Sequence, residues 1–324
     1  MSTRGLYLMR IAVLGVGSIG GLILGALSKT EHHLIAVSRG ETALRISAEG
    51  MVLHHHNGPI EMIPPGRFEI VDTMIDEEAY SISHSVDIAI ICGKSGDTEL
   101  LGRIARNVLA SSGMVLSMQN GLGNVEKLNE IIGKERVLGG STTHGAWKDD
   151  SGSIHWAGFG DITIGSLERK LPGKIETSLI QAFEDANLKP SWSENLNSSI
   201  WMKAIINVAI NPICAIAGLE NGMIESDPYL LSLSMAAASE AVTVARNKGI
   251  DFSDIDIENK VIGVIRSTSN NRCSMLQDLM SGRRTEIDSL CGRISEEAEA
   301  FGVPVPINTT LYALVKAIET ANIE

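Results

Sequence analysis

Aromatic residues are scarce in this chain of 324 residues, at 4% of the total, so its cores have to be built from aliphatic side chains. The four cysteines, Cys92, Cys214, Cys273 and Cys291, lie far apart and form no Cys-x-x-Cys pair. That spacing excludes a disulfide framework, argues against a cysteine metal site and points to reduced thiols. No block of lysine or arginine is present, and the net charge is −12, which argues against nucleic acid or an anionic membrane surface as the main partner. Runs of about 18 uninterrupted apolar residues, the length that crosses a bilayer, are missing too, so no membrane helix is expected. The opening MSTRGLYLMRIAVLG runs into a glycine motif instead of a cleavage site, so it is not read as a signal peptide; Met9 is an alternative start. Fixed-period repeats are absent, which excludes a solenoid. These absences predict a cytoplasmic globular protein.

What is present is enough apolar sequence, 44%, to fill more than one core, and the length predicts two domains. Residues 10–14 form a short apolar run ending in Gly-Val-Gly-Ser-Ile-Gly-Gly, residues 22–27 continue at helical spacing, and 34–37 are apolar again. That is a βαβ unit, with a right-handed crossover. Residues 51–71 hold two strand-like segments around Asn57-Gly58 and Pro64-Pro65-Gly66. Core strands are predicted at 86–92, 113–118 and 137–143, with a helix over 97–109. The glycine-rich stretch 153–164 reads as short antiparallel additions at one sheet edge. Beyond Trp192 the pattern turns helical almost throughout. The expected architecture is therefore α/β, with a Rossmann-type doubly wound sheet over 1–194 and an all-helical domain over 195–324 for substrate and dimerisation. The Ala- and Met-rich stretch 233–245 reads first as the helical domain's own core and second as a dimer surface; a homodimer is the expected assembly.

Gly15, Gly17 and Gly20, with Ser18 and Ile19 between them, fit the dinucleotide-binding loop. The first glycine turns the chain, the second admits a pyrophosphate, and the third lets helix and strand approach. The alternative is a purely structural turn, but the position between a strand and a helix favours dinucleotide binding. At the end of the second strand, where an acid would hold the ribose hydroxyls of NAD, this chain has Ser38-Arg39. Arg39 suits a 2′-phosphate, so NADPH is the expected cofactor (bound as NADP), while Glu41 nearby keeps NAD in play. Lys94, two residues past a strand end, is a candidate for the cofactor's phosphate or ribose, and Asn120 follows another strand at the same edge of the sheet.

Lys203, Asn207 and Asn211 fall at i, i+4 and i+8, one face of an otherwise apolar helix. Three polar residues in line would be costly to bury without partners, which favours a functional face over lysine snorkelling and loop-tying asparagines. Ser274-Met275-Leu276-Gln277-Asp278 and Arg283-Arg284-Thr285-Glu286-Ile287-Asp288 read as a polar cluster in a helical region, in isolation an ordinary charged face. The run His54-His55-His56 invites a metal, but neighbours on a strand point to opposite faces; no metal is expected.

The glycine loop, Gln119-Asn120-Gly121, Thr142-Thr143-His144, the helix from Trp201 to Ile216, Asn221-Gly222 and the Ser274 to Asp288 stretch stand in an order and spacing that resemble the ketopantoate reductase (2-dehydropantoate 2-reductase) family, across nearly the whole chain after Met9. The resemblance implies a 6-phosphogluconate-dehydrogenase-like fold and NADPH-linked reduction of 2-dehydropantoate to (R)-pantoate, toward pantothenate and coenzyme A. It also implies that Lys203 is the general acid and that Asn120 helps place cofactor and substrate. Asn207, Asn211 and Asn221 would bind the substrate, Ser274 would hold its carboxylate, and Glu286 would bind a hydroxyl and orient the lysine. Asp97 stands where a neutral or basic residue is expected from the family, which works against a phosphate. His144 and Trp147 fit the family's pattern and are expected to pack. Two other readings stay open: a reductase of another branched 2-oxo acid on the same fold, and a non-catalytic NADP(H)-binding regulator, which would have no need of Lys203 with Glu286.

Overall fold

Residues 11–14 are buried one after another, as a strand covered by helices on both faces must be. In the computed structural model, which describes residues 7–321, they form β1 (Arg10–Leu14), followed by α1 (Ser18–Leu27), β2 (His33–Ser38) and α2 (Glu41–Glu49). Next come β3 (Met51–His55) and β4 (Ile60–Ile63), a hairpin turned by Asn57 at φ 52° and Gly58. The chain continues with β5 (Glu69–Asp72), β6 (Val86–Ile91), α3 (Thr98–Val108), β7 (Leu109–Ser117), α4 (Asn124–Ile132) and β8 (Val137–Thr142). β9 (Gly145–Lys148), β10 (Ile154–Gly158), β11 (Ile162–Gly165), α5 (Lys174–Asp185) and β12 (Pro190–Ser193) complete the strand-rich part. Among the described residues helices then follow without further strands: α6 (Leu196–Ala217), α7 (Met223–Ser226), α8 (Pro228–Asn247), α9 (Ile257–Ser267), α10 (Ser274–Met280), α11 (Cys291–Phe301) and α12 (Pro306–Ala321). The chain divides into two compact units, Met1–Gln119 with Asn124–Leu196 and Asn120–Gly123 with Asn197–Glu324.

The first unit is Rossmann-like. Its eight-stranded sheet has the order β12-β11-β8-β7-β6-β1-β2-β5. Strands β5, β2, β1, β6, β7 and β8 run parallel, with Leu14 opposite both Val37 and Ile91. The chain therefore leaves β1, β2 and β6 at one edge, where ligands of such sheets collect. β11 lies antiparallel to β8, as the glycine-rich stretch led one to expect, but β10 does not join that edge. It pairs parallel to β3 and antiparallel to β9 in a separate four-stranded sheet, β4-β3-β10-β9. The reason lies in α1: the buried faces of that sheet, including Leu53, Ile63 and Ile154, pack on its glycine positions Gly21 and Gly25.

The outward face of the small sheet carries stacked rings. Trp147 lies on His155 at 3.9 Å and His155 on His54 at 4.2 Å between centroids. Trp147, expected to pack, does so by this stacking and is 42% exposed, because strand alternation turns it away from α1. His144 is buried, its Nε2 donating to Leu188 O and its Nδ1 accepting from the Gly160 amide. His55 turns to the face opposite His54 and meets Glu61 at 2.9 Å. Among the described residues no three His, Cys, Asp or Glu side chains gather at metal-binding spacing.

The second unit is helical. Its core joins Ala204, Ile205, Val208 and Ala209 of α6 to Ala237, Ala238, Ala241 and Val244 of α8, and Cys214, Cys273 and Cys291 fill it as free thiols. The alanine stripe of α8 is therefore core. Helix α6, although it holds no uninterrupted apolar run of bilayer length, has 22 residues and is long and apolar enough to cross a membrane by length and composition. Trp201 and its apolar neighbours are buried in the unit's own core, and Lys203, Asn207 and Asn211 interrupt the apolar sequence of the helix.

Candidate active site

In the first unit Gly15 has φ 93°, and a Cβ there would lie 2.7 Å from the Gly93 amide nitrogen. Only glycine permits both the backbone conformation and this approach of the β1 and β6 ends. Gly20 is closer still to its neighbours: a Cβ would fall 2.0 Å from Gly15 O. Gly17 differs, being exposed with nothing within 4 Å of an added Cβ. The loop is therefore tight on its inner side and open on the outer, where Gly17 leads into Ser18 and Ile19 of α1. A free helix N-terminus behind an open, side-chain-free backbone suits a pyrophosphate, so the residues present fit a dinucleotide.

Arg39 lies just past β2, exposed, with Nη2 3.9 Å from Asp97 Oδ2. Its turn is braced by Asp72, whose Oδ1 accepts from the amides of Gly40 and Met74, each at 2.9 Å. Lys94 follows Gly93 in the turn after β6. Gln119 holds this turn: its Nε2 donates to Gly93 O, Lys94 O and Thr98 Oγ1 at 3.0, 3.1 and 2.9 Å. Gly15, Gly17, Ser18, Ile19, Gly20, Arg39 and Lys94 thus share one edge of the sheet.

In the second unit Lys203 sits in the second turn of α6. Burial of its ammonium lowers the pKa to about 8, and the charge of Glu286 acts in the opposite sense. Glu286 is itself fixed: Asn120 Nδ2 donates to its Oε2 at 3.0 Å. The turn carrying Asn120 is held by Leu122 N to Ser289 O at 2.8 Å. Gly121, at φ 89°, lies so close to Ser289 that a Cβ would sit 2.2 Å from its hydroxyl. Glu286 is not on a helix face, as its sequence context suggested. Helix α10 stops at Met280, Gly282 takes φ 61°, and a short 3-10 turn begins only at Ile287.

Asn207 and Asn211 continue the Lys203 face and are half-buried. Cys273 Sγ lies 3.4 Å from Asn211 O while capping α10, which places the exposed Ser274 at the start of that helix beside the Asn211 turn. Asn221 is buried; its Nδ2 donates to Thr268 Oγ1 at 2.9 Å, and its Oδ1 has no hydrogen-bond partner among the described residues.

The model of the family "Ketopantoate reductase PanE/ApbA" matches residues 11–169, and that of its C-terminal region matches 195–319. This chain belongs to the ketopantoate reductase family. The 2-dehydropantoate 2-reductase of Pyrococcus horikoshii is 34% identical over 314 residues, covering 96% of this chain and 98% of that protein. The one from Archaeoglobus fulgidus is 32% identical over 311 residues, with 96% and 98% covered. A PanE/ApbA family ketopantoate reductase from Ralstonia eutropha shares the fold with a TM-score of 0.87 and 27% identity, over 98% of this chain and all of that one. D-mandelate dehydrogenase bound to NADH has the same fold, with a TM-score of 0.82, at 22% identity.

Within this ketopantoate reductase family member, two relationships escape a reading of the sequence. Gln119 is the anchor of the Lys94 turn, and nothing in its local pattern says so. The Arg39–Asp97 pair joins residues from two strand ends whose adjacency only the sheet order reveals.

Proposed function

We propose that this chain reduces 2-dehydropantoate to (R)-pantoate with NADPH, in the synthesis of pantothenate and coenzyme A. It is an oxidoreductase of the nicotinamide-dependent class. The observation that carries the reading is the Lys203, Glu286 and Asn120 constellation: a lysine with its pKa lowered to about 8, facing a carboxylate that an asparagine holds at 3.0 Å. A non-catalytic dinucleotide sensor has no use for it.

The loop of Gly15, Gly17, Ser18, Ile19 and Gly20 would hold the cofactor's pyrophosphate, Arg39 its 2′-phosphate, and Lys94 its phosphate or ribose, with Asn120 nearby in sequence. The bound cofactor supplies the hydride. Reduction of a ketone leaves negative charge on its oxygen, and Lys203 Nζ gives that oxygen a proton, becoming a neutral amine that solvent reprotonates. A lysine of pKa about 8 is still mostly protonated near neutrality yet yields its proton more readily than a solvated one. Glu286 keeps the ammonium charged and accepts a hydrogen bond from a substrate hydroxyl, while Asn120 fixes its carboxylate. Asn207 and Asn211 line the same face, and the unpaired Asn221 Oδ1 is a ready acceptor for a hydroxyl. Ser274 Oγ, at a helix start, donates to the substrate carboxylate.

The test is the loss of reduced-cofactor absorbance with ketopantoate against a panel of other branched 2-oxo acids. Turnover on ketopantoate at least a hundredfold above the panel is expected. A higher rate on another acid would move the substrate assignment, and cofactor binding with no turnover would return the sensor reading. The chain is further proposed to work in the cytoplasm as a homodimer; sedimentation at micromolar concentration checks the assembly.

A further inference from the structure

Arg39 and Asp97 leave the sheet from β2 and from the turn after β6, the two neighbours of β1. Their charged groups meet at 3.9 Å, the outer limit of an ion pair, and both side chains are well exposed, at 63% and 45%. An exposed pair at this separation is easily opened. Asp97 precedes α3 without capping it, since its side chain accepts no amide there, so its carboxylate is not committed to holding the helix. Asp72, by contrast, spends Oδ1 on the Gly40 and Met74 amides. The end of β2 therefore offers a guanidinium and an available carboxylate side by side.

We propose that Asp97 sets the coenzyme preference of this chain, opposing a 2′-phosphate at Arg39 and accepting a 2′-hydroxyl in its place, so that NADH is used alongside NADPH. The proposal rests on the reading of the first unit as a dinucleotide site with Arg39 at the 2′-position. A 2′-phosphate gains the charge-assisted bonds of Arg39 but meets the negative charge of Asp97 a few ångströms away. A 2′-hydroxyl is neutral and donates to a carboxylate, as an acid after the second strand does in NAD-binding folds. In water-exposed surroundings the repulsion of a phosphate by one carboxylate at such range amounts to about tenfold in affinity, less at high salt.

The experiment measures dissociation constants of NADPH and NADH by fluorescence titration, without substrate, for the wild-type protein, Asp97→Asn and Arg39→Ala. Wild type should bind the two coenzymes within about tenfold of each other. Asp97→Asn should raise the preference for NADPH about tenfold, chiefly by tightening NADPH, and Arg39→Ala should reverse it. Asparagine is as good at a helix N-cap as aspartate, so the variant should fold; Asp97→Gln provides a second neutral side chain. An unchanged ratio in both Asp97 variants overturns the proposal. Because binding is read directly, the result stands apart from the substrate: failure to turn over any 2-oxo acid would defeat the proposed function but leave the ratio measurable.

Discussion

Asn120 and Glu286, 166 residues apart in sequence, are joined by a 3.0 Å hydrogen bond, and the carboxylate so fixed is the charge that holds up the pKa of Lys203. The asparagine thus bears on the lysine's proton through an intermediary. Removing either partner of this chain of influence has a distinct signature.

Lys203→Met deletes the proposed donor while keeping an unbranched side chain of similar length. Turnover should fall by roughly 10²- to 10⁴-fold, the usual worth of a positioned acid, with the affinity for reduced cofactor unchanged. Steady-state rates together with a cofactor titration check this. A kcat within tenfold of wild type would remove Lys203 from the role.

The donor must be protonated, so reductive turnover should be level at lower pH and decline as pH rises through about 8, the lysine's value. Glu286 raises that value, so Glu286→Gln should move the decline to lower pH. It should also raise KM for the oxo acid. A pH profile of kcat for both proteins decides it, and a limb that stays put or moves up contradicts the assignment.

Two glycines of the loop should separate folding from binding. Gly20→Ala would put a methyl 2.0 Å from Gly15 O, a clash with backbone that cannot swing away, and should cost about 1–3 kcal/mol of stability. Gly17→Ala meets nothing within 4 Å and should leave the melting temperature alone, yet weaken dinucleotide binding by occupying the open side of the turn. Thermal melts and cofactor titrations of the two variants should show opposite patterns.

Glu240 accepts from the amides of Ile307 and Asn308, and from Asn308 Nδ2, each at 2.9 Å, so one carboxylate serves the start of α12. Asn308 is completely buried. Glu240→Ala should therefore destabilise the chain by about 1–3 kcal/mol through donors left without partners, seen as a lower denaturant midpoint with little change in kcat at low temperature.

Much of this was legible in the sequence because the signals are local. The β1 run, the glycine turn and α1 follow from apolar periodicity and backbone freedom within twenty residues, and the Lys203 face from helical spacing alone. The parallel pairing of β3 with β10 was not, since alternation marks a strand but does not name its partner. The break before Glu286 had a local sign, Ser281-Gly282, that was outweighed by the helical look of its surroundings. What joins Asn120 to Glu286, or Arg39 to Asp97, is created by folding and has no local trace.

Trp201 is the one indole of the helical unit, buried at 2% exposure two residues before Lys203, whereas Trp147, Trp156 and Trp192 belong to the strand-rich unit. A protein in which those three are replaced by phenylalanine would emit from α6 alone. Its fluorescence would follow the loosening of the lysine-bearing helix in denaturant, or its tightening on an added oxo acid, separately from events around the glycine turn.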